Sequence, residues 1–215
     1  MQTTLRKVMV SAVVFMAVTA GCSSDSSGGE EDQGTPADVV CGGFAKDAPS
    51  STALKAIAGD GNFTSDLSEP DEVLKALREA ALIEQSGKTR MQGIAFCWLL
   101  PTEDGKSGLR IEFREALGVP ERDARLEETV TYFSSGESAS SSDGVAKVFF
   151  KCRMKAPAHE IIISAELQRS DRIEAPPKDI RAHQITLANA AARKVAADLG
   201  CQDTQLANGV PRPTT

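Results

Sequence analysis

Polar and apolar positions change their period several times along the chain, and each change marks an element. Val8 to Ala20 carry no charge and follow Arg6 and Lys7. That run is shorter than the roughly 20 apolar residues a membrane span needs, and it has the order of a secretory leader. Residues 22–38 turn polar: Ser-Ser-Asp-Ser-Ser-Gly-Gly-Glu-Glu-Asp, from Ser23, offers no apolar side chain to a core. A flexible, acidic, extended tether is expected there. Ser50 to Ala58 places Leu54, Ile57 and Ala58 on one helical face and stops at Gly59. Ser68-Glu69-Pro70-Asp71 supplies an N-cap, an early proline and acidic residues for a second helix, with Val73, Leu74, Leu77 and Ala81 as its buried stripe.

The period then falls towards two. Gly93 to Leu100 is a nearly continuous apolar run, which predicts a strand covered on both faces. Glu103-Asp104-Gly105-Lys106 is turn chemistry, and Leu109, Ile111 and Phe113 alternate with Arg110, Glu112 and Arg114 to complete a hairpin. Thr129 to Phe133 reads as a weaker strand, and the Ser/Gly-rich stretch from Ser134 to Gly144 as a flexible loop. Val148, Phe150, Cys152 and Met154 alternate with Lys147, Lys151 and Arg153; Ile161, Ile163, Ala165 and Leu167 line a further strand. From about Lys178 to Leu199, Ile185, Ala188, Ala192, Val195 and Leu199 recur at helical spacing, with Gly200 placed to end the helix.

This pattern predicts a single α+β domain over residues 39–203. Its antiparallel sheet of about five strands is covered by a long C-terminal helix and one or two N-terminal helices. Residues 204–215 are expected to be a disordered tail.

The five cysteines change the picture most: Cys22, Cys41, Cys97, Cys152 and Cys201. An odd number in an exported chain leaves one thiol to explain. Val18-Thr19-Ala20-Gly21-Cys22 resembles the lipobox of bacterial lipoproteins, with Thr19 where that family mostly carries Leu. The resemblance implies thioether lipidation of Cys22 and cleavage between Gly21 and Cys22, making residues 1–21 a lipoprotein signal peptide. Ordinary secretion, through Val18-Thr19-Ala20 as a small-x-small cleavage site, and a retained uncleaved anchor stand as alternatives. With Cys22 assigned to lipid, four cysteines remain, an even number suited to two disulfides in an oxidising compartment. Cys201 just beyond the last helix and Cys152 on the buried side of a strand would staple helix to sheet, with Cys41 and Cys97 as the second pair. Four cysteines permit three connectivities.

Charge narrows the partners. Lys and Arg number 24 against 30 Asp and Glu, a net charge of −6 that becomes more negative once Arg6 and Lys7 leave with the leader. An acidic surface speaks against nucleic acid, and against anionic lipid headgroups as a direct ligand of the folded part.

Motifs for chemistry fail one by one. His159-Glu160 opens like a zinc-protease motif, but Ile163 stands where the second histidine belongs. His183 lies off the apolar stripe of its helix. Gly136-Glu137-Ser138-Ala139-Ser140 lacks the last glycine and the strand-to-helix context of a nucleophile elbow. Asp60-Gly61-Asn62-Phe63-Thr64-Ser65-Asp66 has oxygen ligands at calcium-loop spacing, but Ser65 replaces the turn glycine and Asp71 the long bidentate Glu. Glu112, Glu115, Glu121, Asp123, Glu127 and Glu128 are interleaved with Arg110, Arg114, Arg122 and Arg125, which reads as a solvated mixed-charge surface rather than an acid–base pair. No cofactor or metal is expected.

The set Cys41-Gly42-Gly43, Phe96-Cys97-Trp98, Phe149-Phe150-Lys151-Cys152 and Leu199-Gly200-Cys201 resembles a group of secreted lipoproteins from actinobacteria. The resemblance implies a lipid-anchored α+β domain with paired cysteines and brings no catalytic residues. The expectation is a lipoprotein held on the extracytoplasmic face of the cell membrane through Cys22. Its domain would be non-enzymatic and bind a protein or a small ligand. An envelope-acting enzyme and an accessory subunit of a membrane complex are the alternatives.

Overall fold

Leu109, Ile111 and Phe113, alternating with charged neighbours, form the middle of an antiparallel sheet. The computed structural model describes residues 34–83, 92–102, 108–170 and 175–214. The expected leader, Cys22, the expected tether up to residue 33 and the expected Glu103-Asp104-Gly105-Lys106 turn lie outside the described residues. In chain order the elements are β1 (Thr35–Pro36), a helical turn α1 (Val40–Gly43), α2 (Ala48–Ala58), β2 (Asn62–Thr64), α3 (Pro70–Leu82), β3 (Ile94–Pro101) and β4 (Leu109–Ala116). There follow β5 (Thr131–Ser134), β6 (Ser138–Ser141), β7 (Val145–Cys152), β8 (Ile161–Arg169), α4 (Pro177–Leu199) and β9 (Arg212–Pro213).

Among the described residues the sheet has nine strands in the order β1-β2-β3-β4-β8-β7-β6-β5-β9, all antiparallel. It is larger than the five strands expected from periodicity. The additional strands are short and lie at or near the edges, where few apolar side chains are needed. β5 to β8 form a meander whose last strand returns beside β4. The β4–β5 connection therefore has to traverse about 19 Å, four strand spacings of about 4.8 Å.

One face of the sheet carries the core. A row runs across it through Phe113, Ala165, Val148, Ala139 and Phe133, each in register with the next and each buried. The alanines in this row meet the alanine-rich side of α4, where Ala188, Ala191 and Ala192 are fully buried, so helix and sheet approach closely. Gly200 ends α4 in the left-handed conformation, its N–H donating to the carbonyls of Ala196 and Ala197. α3 lies over β3 and β4, and α2 packs on α4.

Three expectations are corrected. Ser68 does not cap α3: its hydroxyl accepts the Trp98 N–H at 2.8 Å, and the cap position falls to Glu69, whose N–H donates to Ala95 O at 2.7 Å. Ser134–Gly144 is not a loop but the β5–β6 hairpin and its continuation into β7. Gly136 turns that hairpin with φ +57°, and a Cβ there would meet the Phe149 carbonyl oxygen at 2.3 Å. The tail after Asp203 is packed: Asn189, fully buried on α4, donates to the carbonyls of Ala207 at 2.9 Å and Gly209 at 3.1 Å. Pro211 is buried, and β9 adds to β5.

Candidate functional site

All four cysteines of the domain are paired, Cys41 with Cys97 and Cys152 with Cys201, at Cα separations of 5.4 and 4.7 Å. One cleft is lined by Cys201 of the second bridge and by Gly43, two residues beyond Cys41 of the first. Cys41, Gly42 and Gly43 follow one another in the left-handed region, with φ of 50°, 70° and 69°, and bring Gly43 and Phe44 to the cleft. Asp203 and Gln205, on either side of the lining residue Thr204 in the chain, both have φ 54°. Among the described residues these three are the non-glycine positions with positive φ. Such conformations cost of order 1 kcal/mol or more each and persist where the surroundings enforce them.

The cleft has a volume of about 490 Å³. Lys46, Arg193 and Lys194 bring positive charge to it, Asp47 one carboxylate, and Thr204 and Asn208 a hydroxyl and an amide; Phe44 and Leu206 add apolar surface. Asp47 caps α2 by accepting the Ser50 N–H at 2.9 Å and stands 3.6 Å from the Arg193 guanidinium. Lys194 is held by Asp198 at 2.5 Å. Lys46 is exposed and forms no ion pair among the described residues. Three separate stretches of chain meet here: the Gly43–Asp47 segment, the last turns of α4, and the chain from Cys201 to Asn208.

The sheet face away from α4 is polar. Glu166 on β8 sits opposite Glu112 and Lys147 in register, with only 13 % of its side chain exposed. Burial pushes its carboxyl up. The Gln168 amide at 2.8 Å, the Lys147 ammonium at 3.1 Å and the Arg114 guanidinium at 3.4 Å together outweigh that and hold it below the ordinary value. The folded state therefore binds this proton more weakly than the unfolded chain. Its stabilisation is present above the unfolded carboxylate range near 4.3 and is lost as pH falls through the depressed folded value. Glu166→Gln is expected to lower stability at pH 7, with the gap to wild type closing below about pH 4. Urea unfolding at both pH values measures this; a gap independent of pH would contradict it.

The β4–β5 connection crosses this polar face. The Asp123 N–H donates to Tyr132 Oη at 3.0 Å, Arg122 stacks 5.0 Å over the Tyr132 ring, and Val119 and Pro120 border a cavity of about 280 Å³ with Phe149 and Arg114.

The residues weighed for chemistry are dispersed. His159 is exposed before β8, its N–H bound to Ala81 O at 2.7 Å; His183 is half-buried on α4. Ser138 lies inside β6 opposite Phe149. Asn62 to Thr64, inside the calcium-like loop, form β2, and Asp60 pairs with Lys55 at 2.8 Å. Glu112 pairs with Arg110, Glu127 with Arg122 at 2.9 Å and Asp123 with Arg125 at 2.8 Å, a mixed-charge surface. Among the described residues no group of His, Cys, Asp and Glu is placed to hold a metal ion, and no helix is long and apolar enough to cross a membrane.

Lys46, Arg193, Lys194, Thr204 and Asn208 were not singled out by sequence. The one sequence signal near them was Cys41-Gly42-Gly43, whose paired glycines fit a left-handed turn. No protein-family model, no curated protein and no solved structure matches the chain.

Proposed function

We propose that the protein is a lipoprotein anchored through Cys22 on the extracytoplasmic face of the membrane, of the kind found among secreted actinobacterial lipoproteins. Its domain acts as a non-enzymatic binding module, with the cleft between α1, α4 and the tail as the binding surface. The observation that carries this reading is the pairing of Cys41 with Cys97 and Cys152 with Cys201. Two disulfides in one domain fit an oxidising compartment. They also use every cysteine except the one that follows the small-residue end of the leader, so Cys22 has no cysteine left to pair with in the chain. The role as a binder is supported by the cleft, whose lining combines cations, an amide, a hydroxyl and apolar surface. Ligand sites generally have this mixture of apolar walls and a few placed polar groups.

Two acyl chains on one sulfur make membrane attachment durable, because each buried methylene contributes about 0.8 kcal/mol. Cys22→Ala is therefore expected to move the protein from the membrane pellet to the soluble exported fraction almost completely. Intact-mass measurement of the membrane-extracted wild type is expected to show a diacylglyceryl adduct, and reduction to add the hydrogens of two disulfides. A Cys22→Ala protein that still sediments with membranes, or a wild type with an unmodified sulfur, overturns the proposal.

A further inference from the structure

We infer that the cleft between the α1 turn, α4 and the tail binds a small amphiphilic anion, an oxyanion head carried on a short apolar body. This rests on reading the domain as a binding module and does not depend on the lipid anchor.

The charge of the lining runs against that of the chain. A protein with net charge −6 places Lys46, Arg193 and Lys194 around one cleft with Asp47 as the single carboxylate of its lining. Lys194 is partly neutralised by Asp198 at 2.5 Å, and Arg193 is only loosely engaged by Asp47 at 3.6 Å. Lys46 has no carboxylate partner among the described residues. Lys46 and Arg193 are therefore the cations with unsatisfied capacity for a negatively charged head. Beside them Thr204 and Asn208 add hydrogen-bonding groups.

The remainder of the lining is apolar. Phe44, Leu206 and three short side chains of α4, Ala190, Ala196 and Ala197, supply it. About 490 Å³ lies within the range of roughly 300–1,000 Å³ of small-molecule sites. A bare inorganic anion would leave the apolar part unused, and a neutral apolar molecule would leave the two cations unused.

The chain next to the lining is held in costly conformations. Cys41 at φ 50° stands two residues before the lining residue Gly43, and Asp203 and Gln205 at φ 54° bracket the lining residue Thr204; the bridges Cys41–Cys97 and Cys152–Cys201 tie these two segments to β3 and β7. Backbone strain of this kind gathers at ligand clamps, where the surrounding structure over-determines it. A preformed site of this sort spends little of its binding free energy on ordering.

The test is titration of the purified full chain, by calorimetry and by amide shifts at Gly43 and Thr204, with hexyl phosphate, hexanoate and, as the neutral control, hexanol. Saturable binding of either anion, weakened by added salt and absent for hexanol, is the expected result. Arg193→Gln and Lys46→Gln are each expected to weaken it about tenfold, the size of one charge-assisted hydrogen bond. Lys46 is exposed, so its variant keeps the unliganded unfolding curve of wild type and separates lost binding from lost folding. Competition by phosphatidylglycerol vesicles, but not by phosphatidylcholine vesicles, assigns the anion to a lipid head; binding of the free anions without such competition assigns it to a soluble molecule. Failure of both anions to bind, equal binding of hexanol, or unchanged affinity in both variants overturns the inference. None of these results bears on membrane attachment, which Cys22→Ala reports separately.

Discussion

Removing the bridge at the end of α4, as Cys152→Ala/Cys201→Ala, is expected to lower the unfolding free energy by about 4 kcal/mol. The two cysteines are 49 residues apart. Opening a loop of that length returns conformational freedom to the unfolded chain in proportion to the logarithm of the loop, which gives about 4 kcal/mol at 25 °C. In the native state the bond joins a buried strand residue to the residue that leaves the helix. Cys152 is fully buried in β7, the Cys201 N–H donates to Ala196 O at 2.9 Å, and Gln202 continues as a bridge to Arg153. For a domain of this size each kcal/mol shifts the thermal midpoint by about 2–4 °C, so a fall of roughly 8–16 °C is anticipated. Urea unfolding of the double variant, and of wild type with reductant, provides the measurement. The reductant should do more damage, because it also opens Cys41–Cys97. A change below about 1 kcal/mol in the double variant would show that the bridge is not a principal constraint. The segment carrying Thr204, Leu206 and Asn208 begins at Cys201, so the same variant should also weaken anion binding.

The second large effect is Phe96→Ala, expected to cost about 3–5 kcal/mol. The ring is 1 % exposed and stands edge-on to Phe44 at 6.1 Å and to Phe113 at 5.4 Å. It thereby ties the α1 segment to β3 and β4. The register of β3 against β4 shifts between Ala95 and Cys97, so Phe96 is the extra residue of a bulge and its side chain is aimed by a local bend. Truncation removes the transfer free energy of the ring and leaves a cavity whose walls, strands on one side and a disulfide-held turn on the other, collapse poorly. Phe96→Leu should cost markedly less. Equal losses for the two variants would point to the backbone bulge, rather than ring packing, as the source. Hydrogen exchange should show the added opening first at β3 and the α1 turn.

Much of this architecture was legible from periodicity because its elements bury one face. α4 has an apolar stripe at helical spacing and a glycine stop; β4, β7 and β8 alternate over the core. Their side chains report burial, and burial drives folding in proportion to apolar area. The expected cysteine pairing followed from the same reading, since it placed Cys152 on an inward face and Cys201 past the helix end.

What lay beyond the sequence has a different cause. β6 is Ser138-Ala139-Ser140-Ser141, with one inward apolar side chain and Ser141 bonded to Gln184 at 3.1 Å. The tail is held by Asn189 gripping main-chain carbonyls. Edge strands and tails of this kind form because a partner presents free N–H and C=O groups, and any residue type carries those groups alike. Nothing in their own side chains announces it.

The cleft is the extreme case. Lys46 and Arg193 are far apart in the chain, and each alone reads as a solvated surface charge. Composition and spacing determined the odd cysteine count and the core-forming elements, and supplied the expectation of a leader, because these depend on local order and apolar content. The juxtaposition of two cations with an apolar floor was decided by the tertiary structure, where α4 and two disulfides bring distant segments to the same place.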